Sequence, residues 1–429
     1  MSTLSPTAPS ASPVAGRPVE TTRSWKLAIG YGVFTLVALV LFALLPRTGT
    51  TTFRLANSGD FFALPDVPLP AVGTGIVVVV LLAILTVYAV VETRAVRRVP
   101  MWVTAVFAVV FVIGFLTWAA AGKSLPIPGL LLGALSLSVP LVFGALGGVI
   151  SERVGVVNIA IEGQFLAGAF SSAMVASITG SPWVGLVAAL VAGTLVSFIL
   201  AAFSIKYLVD QVIVGVVINA FISGLTGFLY SQVLSPNETT LNVGVRFPII
   251  PIPVLHQIPV IGPVFFEQRV TVYLAYVAVA VVTFGLFKTR WGLRLRAVGE
   301  HPQAADTVGI NVTGTRFWNV SLAGAIAGLG GAYFTLDAVG PFTKDMTAGA
   351  GYIALAAVIF GRWDPIKATF AALLFGFASN LQNTLGAINS PVPSEFLLML
   401  PYVVTIFAVA GLVGQSRGPA ASGKPYIKS

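Results

Sequence analysis

Residues Ser151–Phe165 read SERVGVVNIAIEGQF. The stretch lies between two long apolar runs, yet it holds Glu152, Arg153, Asn158 and Glu162, with Gly155 and Gly163 beside them. Only 9% of the whole chain is charged, so this concentration of charge needs a cause. If the stretch is helical, Asn158 and Glu162 lie four residues apart on one face. The glycines let the backbone break and let a neighbour come close. Glu162 then has two readings. It lines a solute path as part of a polar patch, or it pairs with a helix terminus or a buried donor. Glu152 and Arg153 read as a turn on the inner side.

Composition sets the surroundings of that stretch. The chain has 429 residues, 56% of them hydrophobic, with a mean hydropathy of +0.94. A soluble domain carries about 25% charged residues. The apolar surplus must face lipid, which makes this a polytopic membrane protein. The net charge of +9 does not point to nucleic acid, because the basic residues cluster between apolar segments. The absence of cysteine excludes disulfides and thiolate metal sites. His256 and His301 stand too far apart in sequence for metal-ligand spacing and support no Ser/His/Asp catalytic set.

A helix needs about 20 apolar residues to cross the hydrocarbon core. The candidates are 25–45, 72–91, 101–121, 129–150, 158–180, 182–205, 212–234, 271–287, 316–337, 352–361, 366–383 and 395–413. The segment 352–361 is too short to cross alone and reads as part of a broken helix. With the N-terminus inside and the crossings alternating, 18 Lys and Arg residues fall inside and 6 outside. That bias places both termini in the cytoplasm.

The expected fold is therefore all-α and polytopic, with about 12 transmembrane segments. Residues 1–24, rich in Ser, Thr, Pro and Ala, form a disordered cytoplasmic tail. Residues 25–100 are an extra N-terminal hairpin, and 101–413 the core. The remaining ten segments divide into two inverted five-helix repeats, 101–234 and 271–413, joined by a proline-rich outer loop, 235–270. Each half has a second long helix followed by a break, VGVVNIAIEG in one and AGAGYIALAA in the other. Residues 414–429 form a second cytoplasmic tail.

The inner segment Lys288–Phe317 is KTRWGLRLRAVGEHPQAADTVGINVTGTRF. Pro302 suits a first helical turn. Gln303 to Asp306 then make a short helix, which Gly309 ends. Such a bracket outside the membrane fits docking into a groove on a partner. The other reading is an amphipathic interfacial helix, for which Ala304, Ala305, Val308 and Ile310 form a weak apolar face.

SERVGVVNIAIEG, KTRWGLRLRAVGEHPQAADTVGINV and GYIALAAVIFGRWDPIKA resemble the permease subunits of bacterial ABC importers. The match is to the nucleoside-type branch of the simple-sugar and branched-chain amino acid superfamily, over residues 129 to 413. The resemblance implies a location in the bacterial cell (inner) membrane and the import of a small polar solute, nucleosides first. It implies four kinds of partner: cytoplasmic ATPase subunits, a second permease subunit (homologous or identical), an extracytoplasmic substrate-binding lipoprotein, and membrane lipid. It places Arg296, Gly299, Glu300, Pro302, Ala304, Ala305 and Gly309 in the ATPase-coupling loop. His301 stands where the family usually has Asn. The substrate-pathway candidates are Asn158, Glu162, Gln164, Asn219, Tyr352 and Asn380; each of the amides in apolar runs reads equally as an interhelical hydrogen bond.

No phosphate-binding loop is present. GKS occurs at Gly122–Ser124, but Thr117 stands where the motif requires glycine. The chain is thus expected to be non-catalytic and to bind no cofactor, with ATP and Mg on the partner ATPase. Two alternatives stay open: a monosaccharide or branched-chain amino acid permease, and an ion-coupled secondary transporter working alone.

Overall fold

A computed structural model describes residues 25–390 apart from 58 and 98, then 392, 393, 395, 396, 399 and 418–428. The expected tail 1–24 and nearly all of the expected last crossing, 395–413, lie outside the described residues.

The first three long helices are α1 (Lys26–Ala38, extended by a π-turn to Leu44), α2 (Ala71–Arg94) and α3 (Met101–Ala119). Tyr31, Phe42, Val78, Leu82 and Phe107 bury against one another between them. Tyr31 stacks on Phe107 with ring centroids 4.3 Å apart. By packing, α3 sits with the added hairpin, and it also reaches the rest of the chain through Leu116, Leu125, Leu130 and Leu385. Outside the helices, β1 (Thr50–Arg54) pairs antiparallel with β2 (Val67–Pro70) and parallel with β3 (Ser124–Pro126). The outer faces of these helices, such as Val77, Ile84 and Val87, are more than half exposed, as a lipid-facing surface must be.

The core follows as α4 (Ile127–Arg153), α5 (Ile161–Thr179), α6 (Pro182–Ala201), α7 (Gln211–Leu229) and a single turn, α8 (Glu238–Leu241). The strand pair β4 (Ile249–Pro251) and β5 (Glu267–Arg269) lies in the long loop, ahead of α9 (Val270–Lys288). Then come α10 (Arg290–Glu300), α11 (Pro302–Thr307), α12 (Val312–Tyr333), α13 (Ala350–Phe360) and α14 (Pro365–Ala387).

Two helices hold the core together. Helix α4 packs on α14, α12 and α13, while α12 packs on α6, α4 and α5. Small residues make those contacts close. A Cβ on Gly193 would stand 2.2 Å from the Gly324 carbonyl oxygen, and one on Gly168 would stand 2.4 Å from that of Gly328. The GAIAGLGGAY sequence of α12 thus lets backbones touch, which replaces the hydrophobic drive that lipid does not supply.

Among the described residues, eight helices are long and apolar enough to cross a membrane. Helices α5 and α14 are 19 and 23 residues long but carry polar residues, Glu162 and Gln164 in one, Lys367, Asn380, Gln382 and Asn383 in the other. Helix α13 has only 11 residues.

Candidate functional site

Helix α4 ends at Arg153, and the chain unwinds from Val154 to Ala160 before α5 starts at Ile161. Gly155 takes a left-handed φ of +95°, which a side chain would strain. The unwound backbone is satisfied by side chains from elsewhere. Ser151 Oγ donates to the Val156 carbonyl at 2.8 Å, and the Val157 amide donates to Gln211 Oε1 at 2.7 Å. Because the helix begins only at Ile161, Asn158 does not share a helical face with Glu162. It faces Gln164 instead, and the two amides exchange hydrogen bonds of 3.1 and 3.2 Å. Gln164 also donates to Ser197 Oγ at 2.8 Å. Both amides are fully buried.

Glu162, in the first turn of α5, meets the amino end of α13. Its Oε1 accepts from Thr347 Oγ1 at 2.6 Å and from the Gly349 amide at 2.9 Å; its Oε2 accepts from the Gly351 amide at 2.7 Å. Two helix N-termini therefore converge on one carboxylate, and both dipoles favour the negative charge. Gly351 has to be glycine-sized: a Cβ there would lie 2.4 Å from the Glu162 amide nitrogen. Asn219 of α7 closes the group. Its Oδ1 accepts from the Gly163 amide at 2.8 Å, and its Nδ2 donates to the Ile159 carbonyl at 2.8 Å and to Tyr352 Oη at 3.2 Å. Tyr352 is 49% exposed and Glu162 only 8%, so the tyrosine is the outward member. Ser223 Oγ donates to Asp345 Oδ1 at 2.6 Å on the same side. Asp345 and Ala348 hold φ of 50° and 46° in the turns before α13, a strain these long-range bonds sustain.

At the carboxyl end of α4, just before the break, the α13–α14 turn is bound down. Trp363 Nε1 donates to Glu152 Oε2, and Arg153 Nε donates to the Trp363 carbonyl at 2.8 Å. Glu152 is buried, so the pair it forms with Arg153 is a tertiary anchor rather than a free turn. Helix α10 ends against the same place. A Cβ on Gly299 would stand 1.9 Å from the Arg153 carbonyl oxygen. Arg296, half-buried, lies with its guanidinium 5.3 Å from the Phe287 ring centroid.

Helix α11 starts at Pro302, as its sequence requires, and closes with a Schellman pair: the Gly309 amide donates to Asp306 O at 2.9 Å and the Ile310 amide to Ala305 O at 3.0 Å. Gly309 has φ of 85°. Ala305 is buried, whereas Gln303, Ala304, Thr307 and Val308 project outward, Val308 being 75% exposed. Glu300 is also exposed.

Of the pathway candidates, Asn219 and Tyr352 hydrogen-bond to each other beside Glu162, Asn219 through the Gly163 amide and Tyr352 next to the Gly351 that Glu162 holds, whereas Asn158 and Gln164 pair with each other and Gln164 with Ser197. Asn380 joins neither set. Its Nδ2 donates to the Leu130 carbonyl at 2.8 Å and so staples α14 to α4. Sequence reasoning missed Thr347, Gly349, Gly351, Ser197 and Trp363 as partners. The one available signal was the AGAG turn before α13.

Residues 130–409 match the family described as branched-chain amino acid transport system / permease component. The chain is 42% identical over 303 residues to the guanosine ABC transporter permease protein NupQ of Bacillus subtilis, covering 68% of this chain and 95% of that one. It is 41% identical over 304 residues to the nucleoside ABC transporter permease protein NupC of Lactococcus lactis, covering 69% and 95%. A putative glucose ABC transporter permease protein, TsgC13 of Haloferax volcanii, is 36% identical over 254 residues, covering 59% and 77%.

Proposed function

The chain belongs to the branched-chain amino acid transport system / permease component family, and from that premise we propose that it is the membrane subunit of an ATP-driven importer of nucleosides. It is a multi-pass membrane protein and a non-catalytic subunit. The observation that carries the substrate class is the 42% identity to a guanosine permease across 95% of that protein. ATP and Mg belong to a separate ATPase, and an extracytoplasmic binding protein delivers the solute. A second permease subunit completes the path.

The architecture proposed is about 12 crossings, ten of them in two inverted halves. The packing supports it: α4 lies on α14 as α12 lies on α6, and α4 meets α12 as α5 meets α13. Both termini are cytoplasmic on the Lys and Arg bias. Helix α13, at about 1.5 Å per residue, covers roughly half of a 30 Å hydrocarbon core. Its amino end, with Glu162, then sits near mid-membrane, where broken helices hold solute sites in transporters.

Movement follows from these contacts. Partner ATPases close and push on residues 299–309. Gly299 bears on the end of α4, and α4 leads into the break before Glu162. A shift there changes how α5 and α13 meet at Glu162 and Gly351, which opens one side of the path as the other closes. Tyr352 and Asn219 face the solute, and Glu162 fixes the helix ends around it.

The test is reconstitution with the ATPase and binding protein. Uptake of radiolabelled guanosine that requires ATP, resists competition by glucose and leucine, and vanishes without the ATPase is the expected result. Accumulation by this chain alone under an ion gradient overturns the reading.

A further inference from the structure

The segment Gly418–Lys428 lies beyond the matched residues 130–409, and it is bound onto the loop end of the core. The Ala421 amide donates to the Gly299 carbonyl at 2.9 Å, and the Ala420 amide to Glu300 Oε2 at 3.3 Å. Arg316, near the start of α12, donates from Nη1 to the Lys424 carbonyl at 3.0 Å. Gly418 lies against the Trp363 ring, and a Cβ on Gly423 would stand 3.7 Å from Val157 Cγ2. A Cβ on Gly155 would stand 3.2 Å from the Ala421 carbonyl oxygen. One short segment thus touches the end of α10, the α4–α5 break, the α13–α14 turn and the start of α12.

We propose that residues 418–428 form a tie that carries the displacement of the ATPase-coupling loop to the α4–α5 break. This rests on the reading of residues 299–309 as that loop. Two observations separate a tie from a plug and from simple packing. The outward residues of α11, Gln303, Ala304, Thr307 and Val308, stay exposed beside the segment, so it does not mask the docking knob. It also covers Arg316, which is 2% exposed and whose Nε and Nη2 have no hydrogen-bond partner among the described residues. Directed hydrogen bonds to Gly299, Glu300 and Arg316 hold the segment in place, so it joins loop and break by more than packing.

The experiment uses the full transporter with its ATPase and binding protein, and a chain ending at residue 417. The shortened chain is expected to bind the ATPase and support ATP hydrolysis, while ATP consumed per nucleoside moved rises about fivefold or more. An unchanged ratio overturns the tie, and so does faster uptake, which would mean a brake. In case the shortened chain fails to insert, Ala421→Cys supplies the only thiol in the chain. Ala421 is 5% exposed, so slow maleimide labelling is expected, and labelling as fast as in the unfolded protein overturns the docking. The coupling reading fails separately: Ala304→Arg and Ala305→Arg would both leave ATPase association intact, whatever the thiol shows.

Discussion

Glu162 and Gly351 meet where two helices begin: the glutamate Oε2 accepts the Gly351 amide at 2.7 Å across 189 residues of sequence. With Thr347 and Gly349 on Oε1, the carboxylate takes donors on both oxygens. In Glu162→Gln, one oxygen becomes an NH2 group that faces donors. The expected loss is about 1–3 kcal/mol of stability, the cost of a buried donor left unpaired. Unfolding of the detergent-solubilised protein measures it. Nucleoside uptake should fall along with it, because α5 and α13 no longer share a fixed joint. Unchanged stability with lost uptake would reassign Glu162 to direct solute contact.

The two loop glycines should fail differently. Gly309→Ala meets open space and pays only for its φ of 85°, about 1–2 kcal/mol. Gly299→Ala drives a methyl to 1.9 Å from the Arg153 carbonyl oxygen, and backbone on both sides has to move. It should cost about 1–3 kcal/mol and weaken ATPase co-purification as well. Co-purification from membranes, with melting temperature alongside, separates the two. A silent Gly299→Ala would remove α10 from the path by which force reaches α4.

Much of this was legible locally. Apolar runs of crossing length mark the long helices, and Pro302 with Gly309 spells out α11 and its αL closure. Glycines flag both breaks. What escaped was whatever depends on a partner far along the chain. Glu162 finds its donors 185 to 189 residues away, and nothing around Ser151–Phe165 names them. Asn158 looked like a helical neighbour of Glu162, but the late start of α5 at Ile161 gives it to Gln164. Glu152 and Arg153 had the composition of a turn, and the distant Trp363, by its indole to one and its carbonyl to the other, accounts for their being buried or half-buried. Gly418–Lys428 has the composition of a tail, and its seat is made by its own backbone groups meeting Gly299, Glu300 and Arg316 more than a hundred residues away, which no local side-chain pattern encodes.

Trp363 and Glu152 offer a test of an anchor made between two side chains far apart in sequence. Trp363→Phe removes the indole donor and leaves a buried carboxylate short of a partner, at an expected cost of about 1–3 kcal/mol. Glu152→Leu with Trp363→Phe should lose less than Trp363→Phe alone, since no uncompensated acid remains. Equilibrium unfolding of the two single variants and the double, read as a cycle, gives the coupling. Additive losses would mean that the indole acts by packing alone.

Adjacent alanines on α11 give the sharpest discrimination. Ala304 projects outward, while Ala305 is 3% exposed and sits where the Ile310 amide closes the helix. Arginine at 304 adds bulk and charge to the outer face without disturbing what lies beneath. Insertion and melting should match the parent, and ATPase association should be lost. At 305 the same side chain has no room, so α11 has to lift from the protein to admit it. That variant should lose association and also melt earlier, by the amount typical of overpacking, about 1–3 kcal/mol. Pull-down with the ATPase and thermal unfolding of the permease together tell the two apart. If Ala304→Arg still binds the ATPase while Ala305→Arg does not, the partner recognises the fold of the loop from another side, and the outward face of α11 is not the contact.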